Sequence, residues 1–169
     1  IMVNLAPILE DRGMSTLAAG GAIGLLVFLS IPGRLAVGWL GDRLPKHKVV
    51  ATILLLQVMA MLVLIITESL WQLYIFIALW AAAYGAGILN WAIVGDYFGR
   101  AHFATIRGLM GLVYSAGAVL GPIYAGWVYD TTGTYTSAIV AFTVITALSI
   151  LLYWFATPPG SLKPQSQPH

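Results

Sequence analysis

Five stretches of about twenty apolar residues, parted by short polar turns, decide what this chain can fold into. They cover roughly residues 15–40, 49–67, 70–94, 108–128 and 135–155. A helix of about 20 residues spans the hydrocarbon of a bilayer. Inside that hydrocarbon every backbone amide must find its partner within the protein, which a helix achieves and an open strand does not. The composition agrees. Of the 169 residues, 60% are hydrophobic and 8% charged, against about 25% charged in soluble domains, and the mean hydropathy is +0.90. A surface so short of charge faces lipid, so the chain reads as an all-α membrane protein. Cysteine is absent, which removes disulfide frameworks, thiolate metal sites and a cysteine nucleophile. The net charge of +2 reflects short loops and gives no surface for nucleic acid.

Residues 1–9 are apolar but too few to span, and read as the last turns of a truncated helix whose upstream half is absent. Glu10-Asp11-Arg12-Gly13-Met14 then turns the chain, with Ser15 or Thr16 offered as an N-cap. Within the next span Pro32-Gly33 predicts an interruption or kink, while Gly20 and Gly24 form a GxxxG face suited to close helix packing. The 49–67 span is featureless except for Gln57, read as a structural bridge. The 70–94 span opens with interfacial Trp71, Gln72 and Tyr74 and turns small and polar at Tyr84, Gly85, Gly87 and Asn90. Gly95–Arg107 is expected to be a charged hinge. Pro158-Pro159-Gly160 closes a bundle of residues 1–157, and 158–169 reads as a disordered tail.

Placing the 42–48 turn, the 95–107 hinge and the tail on one side gathers Arg43, Lys46, Lys48, Arg100, Arg107 and Lys163 there, with Arg34 behind them. The other side keeps Arg12 with Glu10, Asp11, Glu68 and Asp130. Positive-inside bias makes the basic side cytoplasmic, as in a multi-pass protein of the plasma membrane or bacterial inner membrane. Gly38-Trp39-Leu40-Gly41-Asp42 and Gly126-Trp127-Val128-Tyr129-Asp130 share a pattern three spans apart, at opposite faces of the bilayer. An inverted repeat of three plus three helices predicts that arrangement, and such repeats belong mainly to transporters; chance recurrence of Gly-Trp at an interface is the other explanation.

The turn Gly38-x-x-x-Asp42-Arg43-x-Pro45-Lys46-His47 resembles the hinge motif of the major facilitator superfamily, Gly-x-x-x-Asp-Arg-x-Gly-Arg-Arg. Pro45 stands in place of the family's glycine, and Lys46 and His47 in place of its arginines. The position of the motif between the second and third helices implies the C-terminal six-helix half of such a protein, with the N-terminal half as its partner. Three further stretches are similar to the oxalate/formate antiporter and monocarboxylate transporter branch. They are Asn4-Leu5-Ala6-Pro7 followed by Asp11-x-Gly13, then Gly33-Arg34-Leu35, and the hinge Asp96-Tyr97-Phe98-Gly99-Arg100-x-x-Phe103-x-Thr105-Ile106-Arg107-Gly108. The resemblance implies movement of a small organic anion by alternating access. Oxalate-type members often carry a second cation near the stretch matching Tyr114-Ser115-Ala116-Gly117. That stretch is uncharged here, which favours a singly charged substrate.

Arg34 lies eight residues before Asp42, roughly 12 Å inside the boundary at about 1.5 Å per residue. An arginine that deep costs about 2.5–3.5 kcal/mol unless it faces a cavity or a partner. A guanidinium suits bidentate carboxylate binding, so Arg34 is the leading substrate-binding candidate; the alternative is a side chain that snorkels to a loop acid. Asn90, Tyr114, Tyr84, Ser115 and Tyr124 are candidate neutral donors around it, and Asn4 a more distant one, although such residues also serve simply to join helices. Gly38, Asp42, Arg43, Lys46, Asp96, Arg100 and Arg107 form the expected gating hinge, where the resemblance sets the aspartate near the N-terminus of helix eleven and its dipole. The same charges could instead only fix topology. No acid lies at mid-membrane depth, so a proton carrier, if transport uses one, would lie upstream.

An intramembrane enzyme would need a nucleophile–base pair or metal ligands at depth. The three histidines, His47, His102 and His169, fall in turns or the tail, so no catalytic group, metal or cofactor is expected. A transporter of a neutral or cationic solute, with Arg34 structural, and a non-transporting receptor or scaffold remain as alternatives.

Overall fold

The computed structural model describes residues 2–67, 69–99 and 103–156. Glu68, Arg100, His102 and the 158–169 tail with Lys163 and His169 lie outside the described residues, so the expectations attached to them have no structural counterpart. A short 3-10 turn, Met2–Asn4, leads into α1 (Leu5–Asp11). Then follow α2 (Thr16–Arg43), α3 (Lys46–Ile65), α4 (Leu70–Ala82), a second 3-10 turn (Ala83–Gly85) and α5 (Ala86–Phe98). The last two helices are α6 (Phe103–Thr132) and α7 (Thr136–Phe155). Among the described residues five helical segments are long and apolar enough to cross a bilayer, with α4 and α5 acting as one through the turn that joins them.

The ends of these helices follow local chemistry. Ser15 caps α2 by accepting the Ala18 amide at 3.3 Å. Between α2 and α3 only Leu44 and Pro45 are non-helical, because proline suits a helix start and cannot continue one. Gly99 closes α5 with φ +69°, and its amide bonds Gly95 O at 3.0 Å, a left-handed C-terminal stop that glycine adopts without strain. The expected 95–107 hinge is therefore much shorter than the sequence suggests: Asp96-Tyr97-Phe98 contains no breaker and continues α5, and α6 already begins at Phe103.

Two further expectations change. Pro32 does not interrupt α2, which runs helical through it for 28 residues; one lost backbone bond is tolerated where neighbouring helices pack firmly. The break falls instead in the 70–94 span, at Ala83–Gly85. Gly20 and Gly24 meet nothing within 4 Å, so the close helix crossing is made by other glycines.

The buried side chains form two clusters. One, around Leu5, Leu9, Leu26, Leu64, Phe76 and Ile139, lies toward the Arg12 end. The other, around Val37, Val50, Ile53, Leu89 and Ile93, lies toward the 42–46 turn. Arg12 fastens the first end. It donates to Ile65 O at 3.1 Å and Thr67 O at 3.3 Å, and to Thr136 Oγ1 at 3.1 Å, a cation at the carbonyl end of α3 where the helix dipole favours it. Because the α6–α7 turn lies at that end and α2 finishes at the other, Trp39 and Trp127 sit at opposite ends of the bundle. α6 is the least packed helix, with Ala125 and Val128 its buried residues.

Candidate functional site

The site is built where α2 crosses α4, the 3-10 turn and α5. Three glycines let the backbones close. A Cβ on Gly33 would sit 2.8 Å from the Ala81 carbonyl oxygen, one on Gly85 would sit 2.7 Å from Val37 Cβ, and one on Gly41 would run into the Leu89 side chain. The 3-10 turn presents Tyr84 toward α2, and Gln57 of α3 donates to Ala83 O at 3.3 Å. Gln57 thus bridges α3 to the turn. This crossing sets Arg34, one residue beyond Gly33, with its guanidinium 4.8 Å from the centre of the Tyr84 ring, a cation–π contact.

Arg34, Tyr84, Gly87, Ile88, Asn90, Trp91 and Tyr114 line one cavity of about 410 Å³. Among the described residues Arg34 forms no ion pair, the one such pair being Lys46–Asp96. The guanidinium therefore carries a full charge and free donors into the cavity. Asn90 is oriented from behind: the Tyr153 hydroxyl on α7 donates to Asn90 Oδ1, which leaves the two amide hydrogens as what Asn90 can offer. Arg34, Asn90, Tyr84 and Tyr114 together give a wall of hydrogen-bond donors around one positive charge. Such a wall suits an anion.

A second cavity of about 380 Å³ adjoins the first at Tyr114, which lines both. Its walls are Met61, Trp80, Phe142 and Ile145, with Gly117 and Gly121 of α6 opposite. Asn4 is not in the Arg34 cavity; its side-chain amide donates to Pro122 O at 3.3 Å and ties the first turn to α6. Ser115 is exposed and lines neither of the two cavities. Tyr124 packs edge-on against Phe142 at 6.0 Å, outside the Arg34 cavity.

At the turn end, Lys46 Nζ and Asp96 Oδ2 meet at 2.6 Å and join α3 to α5. They border a third cavity of about 380 Å³ together with Gly41, Asp42, Arg43 and His47. Arg43 lies over Trp39 at 4.1 Å, Asp42 is exposed and in no ion pair among the described residues, and Gly38 has open space around it. Arg107, assigned to the hinge, covers Trp91 at 5.0 Å and Phe103 at 6.0 Å.

Sequence reasoning missed Gly87, Ile88 and Trp91 as cavity residues. Their signal was present, since 84, 87, 88 and 91 follow the helical i, i+3, i+4, i+7 spacing. Tyr153 carried none, because its partner lies 63 residues away.

The family model described as Major Facilitator Superfamily matches residues 1–169. Among curated proteins, the chain is 29% identical over 143 residues to monocarboxylate transporter 13 of Rattus norvegicus, covering 82% of this chain and 33% of that protein. It is 27% identical over 171 residues to a probable galactarate/D-glucarate transporter of Bacillus subtilis (strain 168), covering 95% of this chain and 38% of the relative. It is 31% identical over 141 residues to monocarboxylate transporter 12 of Xenopus laevis, covering 80% and 31% respectively. The chain thus spans about a third of the length of these relatives.

Proposed function

The chain belongs to the major facilitator superfamily, and on that premise we propose that it forms the C-terminal half of a transporter that moves a small organic anion by alternating access. The observation that carries the anion is Arg34, an unpaired guanidinium in a cavity whose other polar groups are neutral donors. At mid-membrane depth such a charge is costly unless something neutralises it. A carboxylate does so through two parallel charge-assisted hydrogen bonds, and the donors of Asn90, Tyr84 and Tyr114 suit its remaining lone pairs.

In this reading the gate is the turn end, on the cytoplasmic face. Lys46 and Asp96 hold α3 to α5 there, and the rest of the hinge, Gly38, Asp42, Arg43, Arg100 and Arg107, engages and releases the partner half as the two halves rock. The exposed flank of α6 and the exposed side of α2 are the surfaces that an N-terminal six-helix half would cover. The plasma membrane, or its bacterial inner counterpart, is the expected location.

The test is uptake of labelled small carboxylates into proteoliposomes by the protein expressed from its complete reading frame, wild type against Arg34→Gln at matched protein level. Charged hydrogen bonds contribute about 1.5–3 kcal/mol each, so losing two predicts a rise in KM of about a hundredfold or more. Carboxylate uptake that Arg34→Gln leaves unchanged would make Arg34 structural. Uptake of neutral or cationic solutes in place of carboxylates would move the substrate out of the anion class.

A further inference from the structure

We infer that the cavity beyond Tyr114 is a hydroxyl-recognising subsite, and that the transported anion is a polyhydroxy monocarboxylate of the aldonate type. Its carboxylate sits at Arg34 and its hydroxylated chain reaches into this second space. The inference rests on the reading of Arg34 above and adds the chemistry of the rest of the substrate.

Trp80 carries the first argument. It is 7% exposed, and its indole N–H has no hydrogen-bond partner among the described residues. Among those residues no unpartnered side-chain nitrogen or oxygen is sealed from solvent. The N–H therefore reaches open space, and the space its side chain borders is this cavity. A donor kept unpaired in so buried a side chain is costly unless whatever enters the cavity accepts from it.

Pro122 carries the second. It lies within α6 and has no amide hydrogen, so the Ala118 carbonyl four residues back loses its helical donor. Both residues line the cavity. Asn4 donates to the Pro122 carbonyl and so does not relieve Ala118. Thr146 adds an acceptor as well: its hydroxyl hydrogen is spent on Phe142 O at 2.8 Å, which leaves the lone pairs of its oxygen. The Tyr114 hydroxyl can donate or accept.

That mixture selects the ligand. A hydroxyl both donates and accepts, so hydroxyls along one chain can answer Trp80, Ala118 and Thr146 together. A carboxylate only accepts, and no charged side chain lines this cavity. The Arg34 cavity is the reverse, donors around one cation. One charged head and an uncharged hydroxylated body therefore divide between the two spaces, which meet at Tyr114. Met61, Phe142 and Ile145 supply apolar surface for the C–H faces of such a chain.

The experiment is saturable uptake of labelled D-gluconate into proteoliposomes by the protein from its complete reading frame, with hexanoate and D-glucarate as inhibitors. Hexanoate keeps the chain length and the carboxylate but lacks the hydroxyls; D-glucarate keeps the hydroxyls and adds a second carboxylate. Hexanoate should inhibit at least about tenfold more weakly than unlabelled gluconate, because it leaves the polar wall unanswered. D-glucarate should be weaker by a similar factor, because its second charge meets no cation. Trp80→Phe removes the donor and keeps an aromatic ring. It should raise the gluconate KM about two- to tenfold and leave inhibition by hexanoate unchanged. Pro122→Ala returns an amide to the Ala118 carbonyl and should raise the gluconate KM about as much without lowering the melting midpoint, which separates the effect from a folding defect.

Hexanoate or D-glucarate matching gluconate would overturn the subsite, as would equal weakening of gluconate and hexanoate in Trp80→Phe. The Arg34 reading fails separately. If Arg34→Gln leaves gluconate uptake unchanged while Trp80→Phe weakens it, the carboxylate anchor is lost and the hydroxyl subsite stands. If gluconate does not enter while labelled hexanoate or D-glucarate does, in a manner that needs Arg34, the subsite is overturned and the anchor stands. If none of the three enters, both are overturned.

Discussion

Gly33→Ala adds a single methyl group, and the geometry makes it expensive. The new Cβ would stand 2.8 Å from the Ala81 carbonyl oxygen and 3.3 Å from both Cα and O of Ala82, inside the roughly 3.5–4.0 Å at which carbon atoms rest comfortably. All three obstacles are backbone at the end of α4, so no side-chain rotation relieves them. α2 must draw back by several tenths of an ångström. Overpacking of this kind costs about 1–3 kcal/mol. The same substitution also gains helix propensity, about 1 kcal/mol for alanine over glycine. Gly24→Ala, on the same helix with open space around it, makes that gain without the clash and serves as the control. The pair should therefore differ by about 1–3 kcal/mol, or roughly 2–12 °C in melting midpoint at about 2–4 °C per kcal/mol.

The assay is thermal denaturation in detergent, followed by loss of the monodisperse peak, with carboxylate uptake measured in parallel. Gly33→Ala should melt lower than Gly24→Ala, and its uptake should fall because Arg34 is the next residue and is carried away from Tyr84. Equal midpoints, or Gly33→Ala the more stable, would refute the claim that backbone contact at this crossing sets the position of Arg34.

Three further outcomes follow from single contacts. Gln57→Leu removes the donor to Ala83 O and should cost about 1–3 kcal/mol; an unchanged midpoint would mean that the turn holds itself. Tyr153→Phe removes the partner of Asn90 Oδ1 and lets the amide rotate its acceptor into the cavity, so carboxylate KM should rise about two- to tenfold, and an unchanged KM would sink that orienting role. Lys46 and Asp96 have side chains 28% and 53% exposed, so a double-mutant cycle should give a coupling below about 1 kcal/mol, screened away at high salt; a coupling of several kcal/mol would point to a pair far more sequestered than this.

What could be read from the sequence is what a bilayer enforces locally. Hydropathy located the spanning segments, and Ser15 announced its cap. The misjudged features all depend on another helix. The GxxxG spacing of Gly20 and Gly24 is a good packing signal, yet within this chain the close approaches fall elsewhere: Gly33 against α4, Gly41 against Leu89 of α5, and Gly85 of the 3-10 turn against Val37 of α2. Pro32 was the obvious breaker, but the break fell at Ala83–Gly85, where no proline stands. Asn4 is polar and was offered as a distant donor, yet its amide is taken up by the Pro122 carbonyl 118 residues away.

That same dependence explains why the cavity residues differ so much in how firmly they are held. Tyr84 is fixed by the 3-10 turn and by Gly85 pressed on Val37, and Asn90 by Tyr153. Both sit on segments locked to α2, α3 or α7. Tyr114 sits on the stretch of α6 that touches the bundle least, with its own ring exposed, yet it is the one residue bordering both cavities. That flank of α6 is the surface which the proposed partner half would cover, so on that reading the Tyr114 side of the site is completed by the other half of the transporter, while the Arg34, Tyr84 and Asn90 side is built within this chain.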